Sequence, residues 1–232
     1  MTRPQHLVMI PGLLCDETLW KHQIEHLTDI LPVTVADLTQ DDSIPAMAER
    51  LLAAAPASFA LAGLSLGGYV AQEVMRQAPE RVERLVLTAT NARADNDDQR
   101  RNRAALIKLA EIGKFKGVTP RLLPNLIHPD RLNDPAVAGV VMAMAERVGQ
   151  AAFLRQQHAI MARKDGRADL ESIRIPTLVL CGRQDALCPL KVHEEMASRL
   201  PNGKLVIIED CGHLPPLERP RTTTAIFRYW LA

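Results

Sequence analysis

The chain has no surplus of charge of either sign. Its 28 Lys and Arg stand against 27 Asp and Glu, a formal net charge of +1 over 232 residues. No global field draws such a chain to nucleic acid or to an anionic membrane, which leaves a small molecule as the expected partner. Long apolar runs are also missing: no stretch approaches the roughly 18 uninterrupted apolar residues of a membrane span. Residues 7–14 are apolar, but Pro11 and Gly12 interrupt them, only Arg3 is basic before them, and no small-residue cleavage site follows. They are read as a strand and not as a secretory leader, with the cytoplasm as the expected location. Paired cysteines are lacking too. Cys15, Cys181, Cys188 and Cys211 stand singly, without the spacing of a zinc ribbon or the density of a disulfide scaffold. Reduced thiols are expected, and oxidation or a thiol reagent is a candidate inhibitor.

What is present is an alternation. Short β-rich runs at 6–10, 33–36, 59–62, 85–88, 178–181 and 205–208 are separated by stretches with helical spacing, among them 44–55, 67–77, 190–200 and 222–231. Most of the runs are continuously apolar, as strands buried on both faces require. The pattern predicts an α/β protein: a mostly parallel sheet of about six strands with helices on both faces. From 91 to 174 no convincing strand appears, only helical periodicity broken by glycines and prolines. The expected organisation is a core of residues 1–90 and 175–232 with a helical cap, 91–174, inserted in it. The charge-dense opening of that insert, 95–103, reads first as a solvated helix face and second as a dock for an anionic substrate or carrier.

The strongest local signal is Gly63-Leu64-Ser65-Leu66-Gly67, set directly after an apolar run and directly before a helical stretch. A serine on so sharp a strand-to-helix turn takes up a strained backbone, and flanking glycines let the neighbouring chain pass. The turn exposes the hydroxyl and aims the Leu66 amide at a developing oxyanion. A glycine-rich turn that merely packs helix on strand is the plainer alternative; a phosphate loop lacks its Lys-Ser/Thr pair. Because a hydroxyl needs a base, the seven histidines matter, and His213 stands out. It follows Asp210-Cys211-Gly212, just past the run at 205–208, where a loop leaves the carboxyl edge of the sheet. Asp185 holds the equivalent place after 178–181. Nucleophile, acid and base then appear in the order Ser, Asp, His, each at the end of its own strand.

With these motifs the sequence resembles the α/β-hydrolase superfamily, within it the small capped carboxylesterases and lactonases. The likeness covers nearly the whole chain, and it includes Pro11-Gly12-Leu13-Leu14 after the first strand and Ala78-Pro79-Glu80-Arg81-Val82 leading into another. It implies Ser65 as nucleophile, His213 as base, Asp185 as orienting acid, and the amides of Leu13 and Leu66 as oxyanion hole, with Leu14 as the fallback donor. Here Pro11-Gly12 stands where the family commonly has His-Gly, and the usual leading hairpin is absent. The substrate implied is a small-molecule carboxylic ester, with no cofactor and no metal. Thioesterase or lactonase chemistry on the same triad, or a ligand receptor that keeps the triad without turnover, are the alternatives. Oligomeric state is not legible.

His22-Gln23-Ile24-Glu25-His26 competes as an H-x-x-E-H zinc motif, but no third ligand is evident. The pocket is expected to draw on Leu14, Leu126, Met142, Met144, Phe153 and Met161, a set rich in Met and poor in aromatics that favours a flexible aliphatic acyl group. The plainer reading gives the same residues to the insert's own core.

Overall fold

The computed structural model describes residues 4–232. Six strands, β1 (Leu7–Ile10), β2 (Val33–Val35), β3 (Phe59–Leu64), β4 (Val82–Thr88), β5 (Thr177–Gly182) and β6 (Gly203–Ile208), form one sheet in the order β2-β1-β3-β4-β5-β6. Every neighbouring pair is parallel, as expected of an α/β chain. β4 begins earlier than the apolar pattern predicts because Glu83 and Arg84 disguise its first turn of pleat.

The helices are α1 (Lys21–Leu27), α2 (Ile44–Ala54), α3 (Leu66–Gln77), α4 (Asp97–Leu109), α5 (Val140–Ala162), α6 (Leu190–Arg199), α7 (Pro215–Glu218) and α8 (Pro220–Leu231). Strand periodicity divides the core in two. Leu7 and Met9 of β1, with Leu178 and Leu180 of β5, face Leu27, Phe227 and Trp230 of α1 and α8. Val8, Ile10 and Val179 face the other way, onto Met47, Val70 and Met196 of α2, α3 and α6. Full burial of such side chains stabilises the fold by roughly 1.5–3 kcal/mol each.

From β1 the chain steps outward to β2, then crosses back over β1 to β3. The connections diverge between β1 and β3, so a crevice opens beyond the carboxyl ends of the strands. The loops after β1, β3, β5 and β6 all leave from that edge.

Between β4 and β5 no strand occurs among the described residues. The segment opens with α4, whose start is held by a capping box between Asn96 and Gln99. Short turns follow, and then α5, which is broken at Gly149 (φ 75°, ψ 175°). Pro135–Ala162 is long and apolar enough to cross a membrane by length and composition. However, it carries Glu146, Arg147 and Arg155, and its Met144, Ala145, Ala159 and Ile160 are buried in the protein's own core.

Candidate active site

Ser65 stands between β3 and α3 with φ 54° and ψ −112°, a conformation a side chain adopts only under constraint. The constraint is visible. Its N–H donates to the Thr88 carbonyl (3.0 Å), and its carbonyl accepts from the Thr90 hydroxyl (2.8 Å). The glycines on either side allow chains to touch: a Cβ on Gly67 would lie 2.3 Å from the Ile10 carbonyl oxygen, and one on Gly63 2.3 Å from that of Gly67. No side chain fits at either position.

Asp185 follows β5 and His213 follows β6, and the structure brings them together. His213 Nδ1 lies 2.8 Å from Asp185 Oδ2 and 3.0 Å from Oδ1, with both side chains buried. Asp185 Oδ1 also accepts the amides of Leu187 and Cys188, each at 2.9 Å. Burial pushes the Asp185 carboxyl up, but the adjacent His213 imidazole and the hydrogen bonds it receives outweigh burial and hold it below the usual range. Neither Ser65 Oγ nor His213 Nε2 is hydrogen-bonded among the described residues. Both line one cavity of about 480 Å³. Such contacts are commonly long before a substrate closes them.

Two polar residues that sequence reasoning missed hold this arrangement. Glu218, buried on α7, accepts the amides on both sides of His213: Gly212 at 3.0 Å and Leu214 at 2.9 Å. It also accepts the His128 amide at 2.7 Å, tying the segment between β4 and β5 to the histidine loop. Gln156 of α5 accepts the Leu14 amide (3.1 Å) and donates to the Leu38 carbonyl (3.2 Å). Leu14, at φ 57°, is therefore already engaged as a donor. The amides of Leu13 and Leu66 have no partner among the described residues.

Of the expected pocket residues, Leu14, Leu126 and Phe153 line the cavity. Met142, Met144 and Met161 do not. Met144 is fully buried in the apolar core, and Met142 packs against the same core. On α5 the stripe facing the cavity is Phe153, Gln157 and Ile160, so Met161 lies about 100° round the helix from Ile160. The wall is less methionine-rich and more aromatic than expected, with the Phe115 ring tilted at 43° to that of Phe153, 5.1 Å between centroids, and Tyr69 also lining the cavity.

All four cysteines are free and buried. Burial pushes the Cys15 and Cys181 thiols up to about 12 and raises those of Cys188 and Cys211 further. Burial thus disfavours the thiolate that oxidants and thiol reagents attack, although Cys15 and Cys188 line the cavity. The His22 and His26 rings stack at 4.1 Å, with His22 Nδ1 bonded to the Thr224 hydroxyl (2.8 Å) and His26 Nδ1 to the His22 carbonyl (2.9 Å). Arg221 and Arg228 share their groove with Glu25 and Asp29, and His22 and Gln23 of the motif bind the Thr224 hydroxyl of α8.

Several known proteins are similar to this chain. Pimeloyl-(acyl-carrier protein) methyl ester esterases of Neisseria meningitidis and Aromatoleum aromaticum are 27% and 29% identical to this chain over 232 and 238 residues. The alignments cover 95% of this chain and 90% and 95% of theirs. A thermophilic esterase from Thermogutta terrifontis, solved with malate bound, superposes with a TM-score of 0.89 at 29% identity, covering 100% of this chain and 90% of that one. Residues 7–226 match the model of the alpha/beta hydrolase family, and with the six-stranded parallel sheet and the serine turn in place the chain belongs to that family.

Proposed function

We propose that this chain hydrolyses carboxylic esters through an acyl-enzyme on Ser65. One juxtaposition supports it most: a serine held at a strained turn and a histidine paired to a buried aspartate open on the same cavity. His213 takes the Ser65 proton, Ser65 attacks the carbonyl, and the oxyanion is met by the unpartnered amides of Leu13 and Leu66. Asp185 holds the imidazole in the tautomer whose Nε2 lone pair faces the serine and stabilises the imidazolium that forms. Water then attacks the acyl-enzyme with His213 again as base. No step needs a cofactor. Residues 91–174 serve as a cap, with one face of α4 and one of α5 closing the cavity over Ser65. The relatives described as methyl ester esterases favour an ester as the scissile group.

Intact-mass labelling with a fluorophosphonate is expected to add one adduct to the wild type and none to Ser65→Ala or His213→Ala. An unlabelled, well-folded wild type would favour the ligand receptor. The oxyanion assignment has its own check. Leu13→Pro deletes a single N–H and should lower kcat by about a hundredfold. A kinetically normal variant would move the donor elsewhere.

A further inference from the structure

One charged cluster in the cavity wall has no part in the acyl transfer. The Asp95 carboxylate, fully buried, is shared between Arg103, whose Nε lies 2.7 Å from Oδ2, and Arg163, whose Nη2 lies 2.7 Å from Oδ1. All three line the cavity that holds Ser65 and His213. Among the described residues of that wall Asp95 is the one carboxylate, set against Arg103, Arg163, Lys114 and Lys116. Lys114 and Lys116 are exposed at the rim, while Arg103 and Arg163 outnumber Asp95 inside a largely apolar wall, where an anion would be held more strongly than in water.

The donors differ in what they have left to offer. Every nitrogen of Arg163 has a neighbour: Nε the Arg93 carbonyl (3.0 Å), Nη1 the Ile160 carbonyl (2.8 Å) and Nη2 the Asp95 carboxylate as an ion pair, with Cζ 4.3 Å over the centre of the Tyr69 ring. Arg103 uses Nε on Asp95 and Nη1 on Gln157 (2.8 Å), which leaves Nη2 without a partner among the described residues. Its side chain is 22% exposed, whereas that of Arg163 is 6%. On α4 it follows Gln99 and Asn102 along a polar stripe that gives way to Leu106 and Leu109 on the same cavity-lining face. The charge run at 95–103 is thus divided: Asp97, Asp98, Arg100 and Arg101 meet solvent, while Asp95 and Arg103 turn inward.

A short chain of contacts links the cluster to the reaction centre. Arg163 stacks on Tyr69, whose hydroxyl accepts from Asn91 Nδ2 at 3.2 Å. The same amide lies 3.7 Å from Cys188 Sγ, and that sulfur, a carboxylate oxygen of Asp185 and a ring nitrogen of His213 lie within 4.8 Å of one another. Because Arg103 and Ser65 line the same cavity, an anionic group at the one and an ester at the other can belong to one small molecule.

We propose that Arg103 binds a free carboxylate on the substrate, so that the preferred substrates are esters bearing a second, ionised carboxyl group, such as monoesters of short dicarboxylic acids. This rests on the ester-hydrolase reading of Ser65. Asp95 orients the guanidinium and tempers its charge, and Arg163 holds Asp95 in place. The carboxylate is bound alike in ground state and transition state, so its contribution falls mainly on KM.

The experiment compares monomethyl succinate, glutarate and adipate with methyl esters of neutral monocarboxylic acids of matching length, by titrating released acid. At least one monoester should exceed its neutral match tenfold or more in kcat/KM. Arg103→Met should cut that ratio by about 10- to 100-fold, chiefly through KM, the range of a charge-assisted hydrogen bond. Asp95→Asn keeps one acceptor in the cluster but removes the charge that tempers Arg103 and should raise the ratio, whereas a purely structural cluster would lose activity on both substrate types alike. Binding of monomethyl glutarate to Ser65→Ala by calorimetry, with and without Arg103→Met, decides the subsite independently of turnover. Loss of labelling and of all ester cleavage would defeat the serine-esterase reading alone. Neutral esters cleaved as well as monoesters, or binding that Arg103→Met leaves unaltered, would overturn the carboxylate subsite.

Discussion

Asp185→Asn should lower kcat/KM for any ester by about 10⁴-fold, the scale on which a misoriented, wrongly protonated histidine fails as a base. The local hydrogen bonds dictate how. Oδ1 accepts the amides of Leu187 and Cys188, so the amide oxygen of an asparagine must remain there. Its NH₂ group is then forced into the place of Oδ2, the atom 2.8 Å from His213 Nδ1. An NH₂ donates, so Nδ1 must become the acceptor and the proton moves to Nε2. The nitrogen facing Ser65 loses its lone pair, and the imidazolium loses its counter-charge. Steady-state kinetics on a methyl ester checks this, and a fall of less than tenfold would remove Asp185 from the mechanism. Stability should respond as well. The Asp185 carboxyl is held below its ordinary value, so its contribution is present above the unfolded carboxylate range and is lost as pH falls through the lowered folded value. The melting temperatures of wild type and Asp185→Asn should therefore differ at neutral pH and converge in acid.

The carboxyl-edge residues were legible in the sequence because strands buried on both faces leave an unmistakable apolar signature, and the loops that follow them must reach the same edge. Ser65, Asp185 and His213 could be placed at strand ends without any distance. Glu218 and Gln156 could not. A glutamate five residues beyond His213 looks like any solvated one, and its grip on the amides of Gly212 and Leu214 exists only once α7 turns back on the loop. The pocket was poorly legible for a related reason. Helical spacing says which residues share a face but not which face meets the cavity, and the break at Gly149 resets that phase within α5. Met142 and Met144 went to the core, while Gln157, unremarkable in sequence, and Arg103, the last residue of the charge-dense run 95–103, came to the wall.

Gly182→Ala tests whether the two loops carrying Asp185 and His213 behave as one unit. Gly182 closes β5, and a Cβ there would lie 2.1 Å from the Gly212 carbonyl oxygen and 2.3 Å from that of Cys211. These are backbone atoms, so no rotamer change can make room. The loops are also stitched at the same point: the Gln184 amide donates to the Cys211 carbonyl (2.9 Å), and the Cys211 amide donates to the Gln184 side chain (3.0 Å). A methyl group must push the His213 loop off the Asp185 loop, breaking these bonds and stretching the 2.8 Å contact between imidazole and carboxylate. Overpacking of this kind costs about 3 kcal/mol, and the opened hydrogen bonds add to it. Denaturant unfolding should show that loss. Kinetics on the remaining folded fraction should show kcat falling more than KM rises, because Ser65 and most of the cavity wall stand outside the β5 and β6 loops, which contribute only Leu187, Cys188, His213 and Leu214 to it. A variant with unimpaired stability would mean that the β6 loop can yield at no cost, and that Glu218, not the strand-end packing, fixes His213.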